Sequence, residues 1–181
     1  MDDQQLVKQV LAGNDAALKL LIERFERLVM HMVARVIDAD MDREEICQDV
    51  FIKIYEKLGT FKFDSKLSTW IATVAYRTAV NFAKKKRLDQ VDLDAVTFKI
   101  GEEENPTEQE DMTAFVHSLV DQLPVNYRTV LTLFYLDGFS YPEIVEITEM
   151  PEGTVKNYIH RARAKLREIV EAHADKEIAL I

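Results

Sequence analysis

Residues 140–170, SYPEIVEITEMPEGTVKNYIHRARAKLREIV, are the part of this sequence that most strongly determines its fold. Ser140 and Glu143 have the S-x-x-E spacing of a capping box, and Pro142 falls in the first turn, so a helix is expected to begin here. A turn at 148–151 leads to a longer helix, whose apolar face consists of Val155, Ile159, Ala162, Leu166 and Ile169. Two helices joined by so short a turn predict a helix-turn-helix.

The opposite face of the second helix is polar and basic. Residues 151–170 contain five Lys or Arg and two Glu, a local balance of +3 in a chain whose formal charge is 23 − 32 = −9. A helix of this kind fits the DNA major groove, where its first turns meet base edges and flanking cations meet phosphates. The alternative is a solvated basic face on an ordinary helical hairpin. The face consists of Lys156, Asn157, His160, Arg161, Arg163, Lys165 and Arg167.

Helical periodicity extends over most of the remaining chain. The 181 residues are 48% hydrophobic and include only five Gly and four Pro, a composition that favours long helices. One apolar stripe runs from Leu20 to Ile37 behind Asn14, a candidate N-cap. A second helix is expected after Asp42, with Asp42 and Glu45 as a weak capping box. A third follows a polar-aromatic loop and ends in the basic run 84–87.

Between residues 88 and 111 the periodicity fades, and residues 101–111 contain six acids and no base. We interpret 88–111 as a flexible acidic linker, which at full extension would span at most about 80 Å. The sequence therefore predicts an all-α protein with two small helical domains. The N-terminal domain comprises 1–87 and the C-terminal helix-turn-helix domain 112–181.

Several classes of function are disfavoured. Cys47 is the only cysteine, which excludes an intramolecular disulfide. The four histidines lack metal-ligand spacing, and there is no Gly-rich phosphate loop or nucleophile motif, so we expect no enzyme, metal, cofactor or small-molecule substrate. The acidic N-terminus is not a signal peptide, and no apolar run reaches the roughly 20 residues that span a bilayer. We therefore expect a cytoplasmic protein with no direct membrane insertion.

Two blocks of sequence resemble the extracytoplasmic-function sigma factors of bacterial RNA polymerase. The C-terminal block consists of GFSYPEI at 138–144, PEGTVK at 151–156 and RAR at 161–163. The N-terminal block consists of QDVF at 48–51, STW at 68–70 and residues 75–87. Both occur in the family's order, and the resemblance covers roughly residues 5–170. It implies a non-catalytic subunit that directs core RNA polymerase to promoters and helps to open the DNA.

The resemblance also implies which residues meet each partner. The C-terminal domain would bind the minus-thirty-five element through Lys156, Asn157, His160, Arg161, Tyr141, Thr154 and Arg163. The N-terminal domain would bind and melt the minus-ten element through Phe61, Lys62, Phe63, Lys66, Ser68, Thr69, Arg77, Asn81, Lys84 and Lys85. The helix at 42–58 would bind the clamp coiled coil of the polymerase through Asp42, Glu45, Gln48, Asp49 and Phe51.

Aromatic side chains near the minus-ten residues differ in their expected roles. Bases that have left the DNA stack can stack on exposed aromatic rings of a protein. Trp70 lies on the inward stripe and is expected in the core, whereas Phe61 and Phe63, on the loop, are the better stacking candidates. Arg77 stands where family members often have Asn, which leaves the promoter sequence undetermined.

The family also implies control by a separate anti-sigma factor. Three other functions stay open on the residues alone: a helix-turn-helix regulator that binds DNA without polymerase, an enzyme, and an adaptor between proteins. The negative net charge favours a subunit that binds free DNA poorly and acts on the polymerase.

Overall fold

The computed structural model describes residues 1–37, 39–89 and 108–178. Within these ranges the chain forms eight α-helices and no strand, which confirms the predicted all-α class. The helices are α1 (Asp3–Leu11), α2 (Asp15–Ala34), α3 (Asp40–Lys57), α4 (Leu67–Asp89), α5 (Glu108–Asp121), α6 (Val125–Tyr135), α7 (Tyr141–Thr148) and α8 (Glu152–Ile178). A single 3-10 turn follows α3 at Leu58–Thr60.

Helix α2 organises the N-terminal domain. It begins where predicted, because the Asn14 side chain accepts a hydrogen bond from the Ala17 amide at 3.1 Å. Its apolar stripe is buried against α3 and α4, except that Leu20 lies outside the stripe and is exposed. Helix α1, which the sequence analysis did not identify, packs on α2 through buried Leu6, Val7 and Val10.

Helix α3 does not begin as predicted. It starts at Asp40 after Ala39, which makes no side-chain cap, so Asp42 lies inside the first turn and is not a capping residue. The Asp42 carboxylate instead pairs with Lys86 on α4. Because this partner is 44 residues away along the chain, local spacing gave no sign of it.

The C-terminal domain contains the predicted helix-turn-helix. Glu143 accepts hydrogen bonds from the Ser140 amide at 2.8 Å and the Ser140 hydroxyl at 2.6 Å, which fixes the start of α7. Glu149 ends α7 in the left-handed conformation, with φ 60°. The predicted apolar face of α8 is buried at Val155, Ile159 and Ala162.

Helical structure enters the segment that we interpreted as the linker from both sides. Helix α4 continues to Asp89, and α5 already begins at Glu108. Residues 90–107, which make up most of the predicted linker, lie outside the described residues. Leu119 of α5 and Leu123, which follows that helix, are buried, whereas Phe115 and Val116 of α5 are exposed.

The two halves of the molecule pack against each other. Helix α4 lies along α7, and buried residues from both halves form one apolar cluster. That cluster joins Ile71 and Ala75 of α4 to Ile144 and Ile147 of α7. A second, smaller cluster lies between α5, α6 and α8.

Membrane-spanning character is absent from the described ranges: none of their helices combines the length and apolar content that a bilayer crossing requires.

Candidate functional site

The outer face of α8 is open to solvent over its first three turns. Lys156, Asn157, His160 and Arg161 are all exposed, while Val155 and Ile159 of the same turns are buried. Arg163 continues the exposed face, and Thr154 is half-buried at its start. The residues predicted to meet the minus-thirty-five element therefore form one polar surface.

Contacts with α7 hold the start of this surface in place. The Lys156 ammonium lies 2.6 Å from Glu152 and 5.5 Å from the centre of the Tyr141 ring. Tyr141 is itself stacked on Phe134 of α6, with ring centroids 5.0 Å apart. Lys156 thus has two neighbours that orient its side chain while it remains exposed.

The predicted minus-ten surface differs, because part of it is covered. Lys62, Asn81, Lys84 and Lys85 are exposed, and Ser68 is half-buried. Thr69 is 0% exposed, and its hydroxyl donates to Glu143 of α7 at 3.3 Å.

Two cations of the same surface also contact α7 or its C-terminal end. The Lys66 ammonium lies 2.9 Å from the Glu143 carboxylate, and the Arg77 guanidinium lies 2.5 Å from Glu149. Three residues that we assigned to the minus-ten element are therefore engaged by the other domain.

The two loop aromatics have different environments. Phe61 is only 8% exposed, and its ring centroid lies 4.6 Å from that of Phe63 and 5.5 Å from that of Trp70. In this structure Phe61 is therefore a core residue and is not available for stacking with a base. Phe63 is 40% exposed and has a positive φ of 62°, a conformation that is uncommon for a residue other than glycine. Trp70 is packed against the core, as expected.

Helix α3 exposes acidic and polar side chains together with apolar ones. Glu45, Gln48 and Asp49 are exposed, but Phe51 is half-buried against the core. Ile52 and Tyr55, at 56% and 53% exposure, complete one face with Gln48 at helical spacing. Neither Ile52 nor Tyr55 was predicted as a binding residue. The position of Ile52 off the buried face formed by Ile46, Val50 and Ile54 was the available signal.

A polar cluster joins the end of α2 to the C-terminal domain, and the sequence analysis missed it. Arg35 is buried and donates to Asp121 at 2.5 Å and to Nδ1 of His117 at 2.6 Å. Arg128 donates to the Arg35 carbonyl at 2.8 Å, and His31 lies 3.1 Å from Asp137. These partners lie 82 to 106 residues apart along the chain.

Two titratable groups at the domain interface have shifted pKa values. Burial acts to raise the pKa of Glu143, but hydrogen bonds from Ser140 and Lys66 outweigh it and bring the pKa to about 2. Burial lowers the pKa of His117, and the neighbouring side chains of Arg35, His31 and Arg27 add to that effect against the opposing influence of Asp121. At neutral pH Glu143 is thus ionised and His117 neutral.

Comparison with known proteins identifies both halves. The Sigma-70 region 2 family model matches residues 21–88, and the Sigma-70 region 4 model matches residues 116–166. The RNA polymerase sigma-H factor of Pseudomonas aeruginosa is 34% identical over 173 residues, 89% of this chain and 90% of that protein. The ECF RNA polymerase sigma-E factor of Escherichia coli is 34% identical over 175 residues, 90% of this chain and 91% of that protein.

Solved structures show the same fold. CnrH, solved in complex with the cytosolic domain of CnrY, matches with a TM-score of 0.65 at 23% identity, over 94% of this chain and 97% of that one. The sigma factor RpoE of Bartonella quintana, solved with the anti-sigma factor NepR, matches with a TM-score of 0.67 at 20% identity, over 84% and 96%.

Three observations indicate one family. They are the order of the two matched regions, the helix-turn-helix with its exposed α8 face, and the extent of the sequence identity. The predicted resemblance is confirmed, and the chain belongs to the extracytoplasmic-function sigma factors, non-catalytic subunits that bind core RNA polymerase and direct it to promoters.

Proposed function

We propose that the exposed face of α8 reads the minus-thirty-five element in the major groove. The observation that carries this assignment is the separation of the two faces of α8, with Val155 and Ile159 buried and Lys156, Asn157, His160 and Arg161 exposed. In this arrangement the first turns of α8 meet base edges, while Tyr141, Thr154 and Arg163 meet phosphates.

The loop before α4 and the exposed side of α4 form the proposed minus-ten surface. Phe63 is the aromatic residue on which a flipped base stacks, and Lys62, Lys84 and Lys85 hold the strand. The same surface also includes Lys66, Ser68, Thr69, Arg77 and Asn81. Of these, Lys66, Thr69 and Arg77 contact Glu143 or Glu149 in this structure and would have to leave those partners to bind DNA.

Helix α3 is the proposed contact with the clamp coiled coil of the polymerase. Its exposed side combines carboxylates and amides with two apolar side chains, Ile52 and Tyr55. Such a mixture of an apolar centre and a polar edge is typical of protein interfaces. Asp42, Glu45, Gln48 and Asp49 form the polar part, and Phe51 supports it from below.

These assignments correspond to a division into an N-terminal domain at 1–87, a linker at 88–111 and a C-terminal domain at 112–181. The protein acts in the cytoplasm, where RNA polymerase meets DNA.

An anti-sigma factor is the expected regulator of this chain. A cleft of about 870 Å³ opens between the N-terminal helices and α7, with apolar Val36, Val80 and Ile147 beside charged Arg77 and Glu149. An amphipathic helix fits such a lining. The proposal is also supported by the two similar folds, which were solved in complexes with CnrY and with the anti-sigma factor NepR.

The proposed function is tested by run-off transcription with core polymerase on a pool of promoter fragments. New, chain-dependent transcripts are the expected result, and their start sites define the two elements. If the chain neither bound core polymerase nor produced transcripts, while it shifted promoter DNA alone, it would be an independent DNA-binding regulator.

A further inference from the structure

Helix α8 begins with an acid beside the face that the proposed function turns toward DNA. Glu152 is the first residue of α8 and the only acid in residues 152–167, which contain five Lys or Arg. Its side chain is exposed, and its Oε1 atom lies 2.6 Å from the ammonium of Lys156, one turn further along the helix. A negative group thus stands directly beside the first cation of the reading face.

The start of α8 leaves this carboxylate open to a ligand. The neighbouring Gly153 has no side chain, and a Cβ placed there would face open space. Lys156 is held from another direction by the Tyr141 ring, whose centre lies 5.5 Å from the ammonium. The hydrogen bond to Glu152 and the charge of that carboxylate raise the pKa of Lys156, so the ammonium is fully protonated at neutral pH. An acceptor and a donor therefore lie side by side on the exposed surface.

A carboxylate in this position is unfavourable against most DNA. Phosphates repel it, and its pairing with Lys156 neutralises a charge that would otherwise release counterions from the duplex. In the major groove, guanine and thymine present acceptors, and adenine presents its N7 acceptor beside its N6 amino group. Cytosine presents only an amino donor, at N4, and Glu is a side chain that accepts from it. Glu152 therefore finds its best partner in the groove at a cytosine.

The spacing of Glu152 and Lys156 suits neighbouring base pairs. Residues four apart on an α-helix are separated by about 6 Å along its axis. Successive base pairs are about 3.4 Å apart. The first turns of a recognition helix are the part that reaches base edges. When Glu152 accepts from a cytosine, the ammonium of Lys156 is released and can donate to O6 and N7 of a guanine nearby.

We propose that Glu152 determines specificity at one position of the minus-thirty-five element, where its carboxylate accepts a hydrogen bond from N4 of cytosine while Lys156 donates to a neighbouring guanine. The ion pair of the free chain is then exchanged for two base contacts. On other sequences the carboxylate lies near phosphates without a donor, so Glu152 weakens binding there. This inference rests on the proposed function of α8 as the reading helix.

The test measures base preference, which a purely structural role of Glu152 would not change. Holoenzyme containing the full chain is assayed on a promoter library randomised over the minus-thirty-five element, and transcript yield gives the preference at each position. Glu152→Gln keeps the size of the side chain and removes its charge. Because Gln pairs with N6 and N7 of adenine, we expect the preference at one position to change from a C·G to an A·T pair. The preference for C·G there should fall about five-fold or more, the lower limit of one base contact.

Glu168→Gln is the matched control. Glu168 also pairs with a lysine of α8, Lys165, at 2.9 Å, and it is similarly exposed, but it lies about four turns further along the helix. The control removes the same charge and the same kind of ion pair, and we expect it to change the preference at no position. Glu152→Asp retains the carboxylate and is expected to keep the preference for C·G. Urea unfolding of each variant separates a loss of base contact from a loss of fold.

The outcomes separate this inference from the proposed function. If Glu152→Gln changes the yield by the same factor on every sequence, the specificity role is refuted, and chain-dependent transcription still supports the reading role of α8. If Lys156→Ala and Arg161→Ala also leave every preference unchanged, α8 does not read bases and both fail. Both also fail if the unaltered chain produces no transcripts. A loss of preference confined to one position, in Glu152→Gln but not in Glu168→Gln, supports the inference.

Discussion

The two surfaces assigned to DNA use similar side chains, yet their surroundings differ. On α8, Lys156 and Arg161 are exposed, and the carboxylate that lies beside Lys156 belongs to the same helix. On α4 and the loop before it, Lys66 and Arg77 meet carboxylates from another domain. The α8 surface is therefore accessible as it stands, whereas Lys66 and Arg77 must first part from carboxylates of the other domain before they can meet phosphates.

The sharpest contrast within the minus-ten surface is between Phe61 and Phe63. Phe61→Ala removes a buried ring and is expected to reduce the free energy of unfolding by about 3–5 kcal/mol. Phe63→Ala removes an exposed ring, so we expect little change in stability but a loss of about 1–3 kcal/mol in binding of the opened strand. Urea unfolding and binding of single-stranded promoter DNA to the holoenzyme measure the two effects.

If Phe63→Ala unfolded as readily as Phe61→Ala, the assignment of Phe63 as a stacking residue would have no support. The sequence alone does not separate these residues, because both are aromatic and lie two positions apart in the same loop.

Arg161→Ala tests the exposed reading face of α8. We expect a loss of about 1–3 kcal/mol in promoter binding by the holoenzyme, that is about 5- to 150-fold, together with relaxed specificity at one position. Affinity for core polymerase should not change, because the assigned contact lies on α3. Lys165→Ala, which removes a cation farther along α8, serves as the control.

Equal losses from Arg161→Ala and Lys165→Ala on every promoter would indicate phosphate contacts only, and the base-reading role would be wrong. Transcript yield across a promoter library provides this measurement.

Ile52→Ala tests the exposed face of α3. An apolar side chain that becomes buried in an interface contributes about 1 kcal/mol, so we expect about five-fold weaker binding to core polymerase with unchanged stability. Leu11→Ala, which alters an exposed side chain at the end of α1, is the control and should bind normally. Normal binding by Ile52→Ala would place the polymerase contact elsewhere.

Acidification tests the packing of the N-terminal domain against the C-terminal domain. Its expected effect is the smallest of those considered. Burial lowers the pKa of His117 from 6.5, and Arg35, which donates to its Nδ1, lowers it further because protonation would place two cations together. When folding lowers the pKa of a histidine, its full contribution to the stability of the fold is present above pH 6.5, the ordinary pKa. That contribution is lost as the pH falls below 6.5. The groups facing His117 are Arg35, His31 and Arg27 of α2 and Asp121 of α5.

We therefore expect the distance between the two domains to lengthen as pH falls below about 6.5, and His117→Gln to remove that step. The distance is measured between fluorophores on Leu11→Cys of α1 and Glu168→Cys of α8 in a Cys47→Ala background. Glu143 adds a separate loss of stability as the pH falls from 4.5, the ordinary pKa of its carboxyl group, to about 2, its pKa in the folded protein. A distance that stayed constant from pH 7.5 to 5.5 would show that His117 does not control the packing of the two domains.

Local patterns predicted the parts of the fold that local chemistry determines. The Asn14 cap, the start of α7 at Ser140 and the two faces of α8 all depend on residues within a few positions of one another, and the structure confirms them. The spacing of Ser140 and Glu143 was enough to locate a helix start because the hydrogen bond lies within one turn.

Contacts between distant segments could not be predicted in this way. Asp42 was predicted as a cap from its spacing to Glu45, but its actual partner, Lys86, lies 44 residues away along the chain. Arg77 and Glu149, which form an ion pair, are likewise separated by 72 residues. Periodicity gives the direction of a side chain relative to its own helix, but not which other helix lies there. The closure of the minus-ten surface was therefore visible only in three dimensions.

The Glu143 carboxylate fixes the start of α7 independently of the contact with α4. It accepts from the amide and hydroxyl of Ser140 within its own domain and from Lys66 and Thr69 across the interface. When the domains part, the two local hydrogen bonds persist and water replaces the others, so α7 keeps its first turn and no charge is stranded in an apolar site. The start of α7 therefore does not depend on α4, and the contact between the domains can break without unwinding this helix.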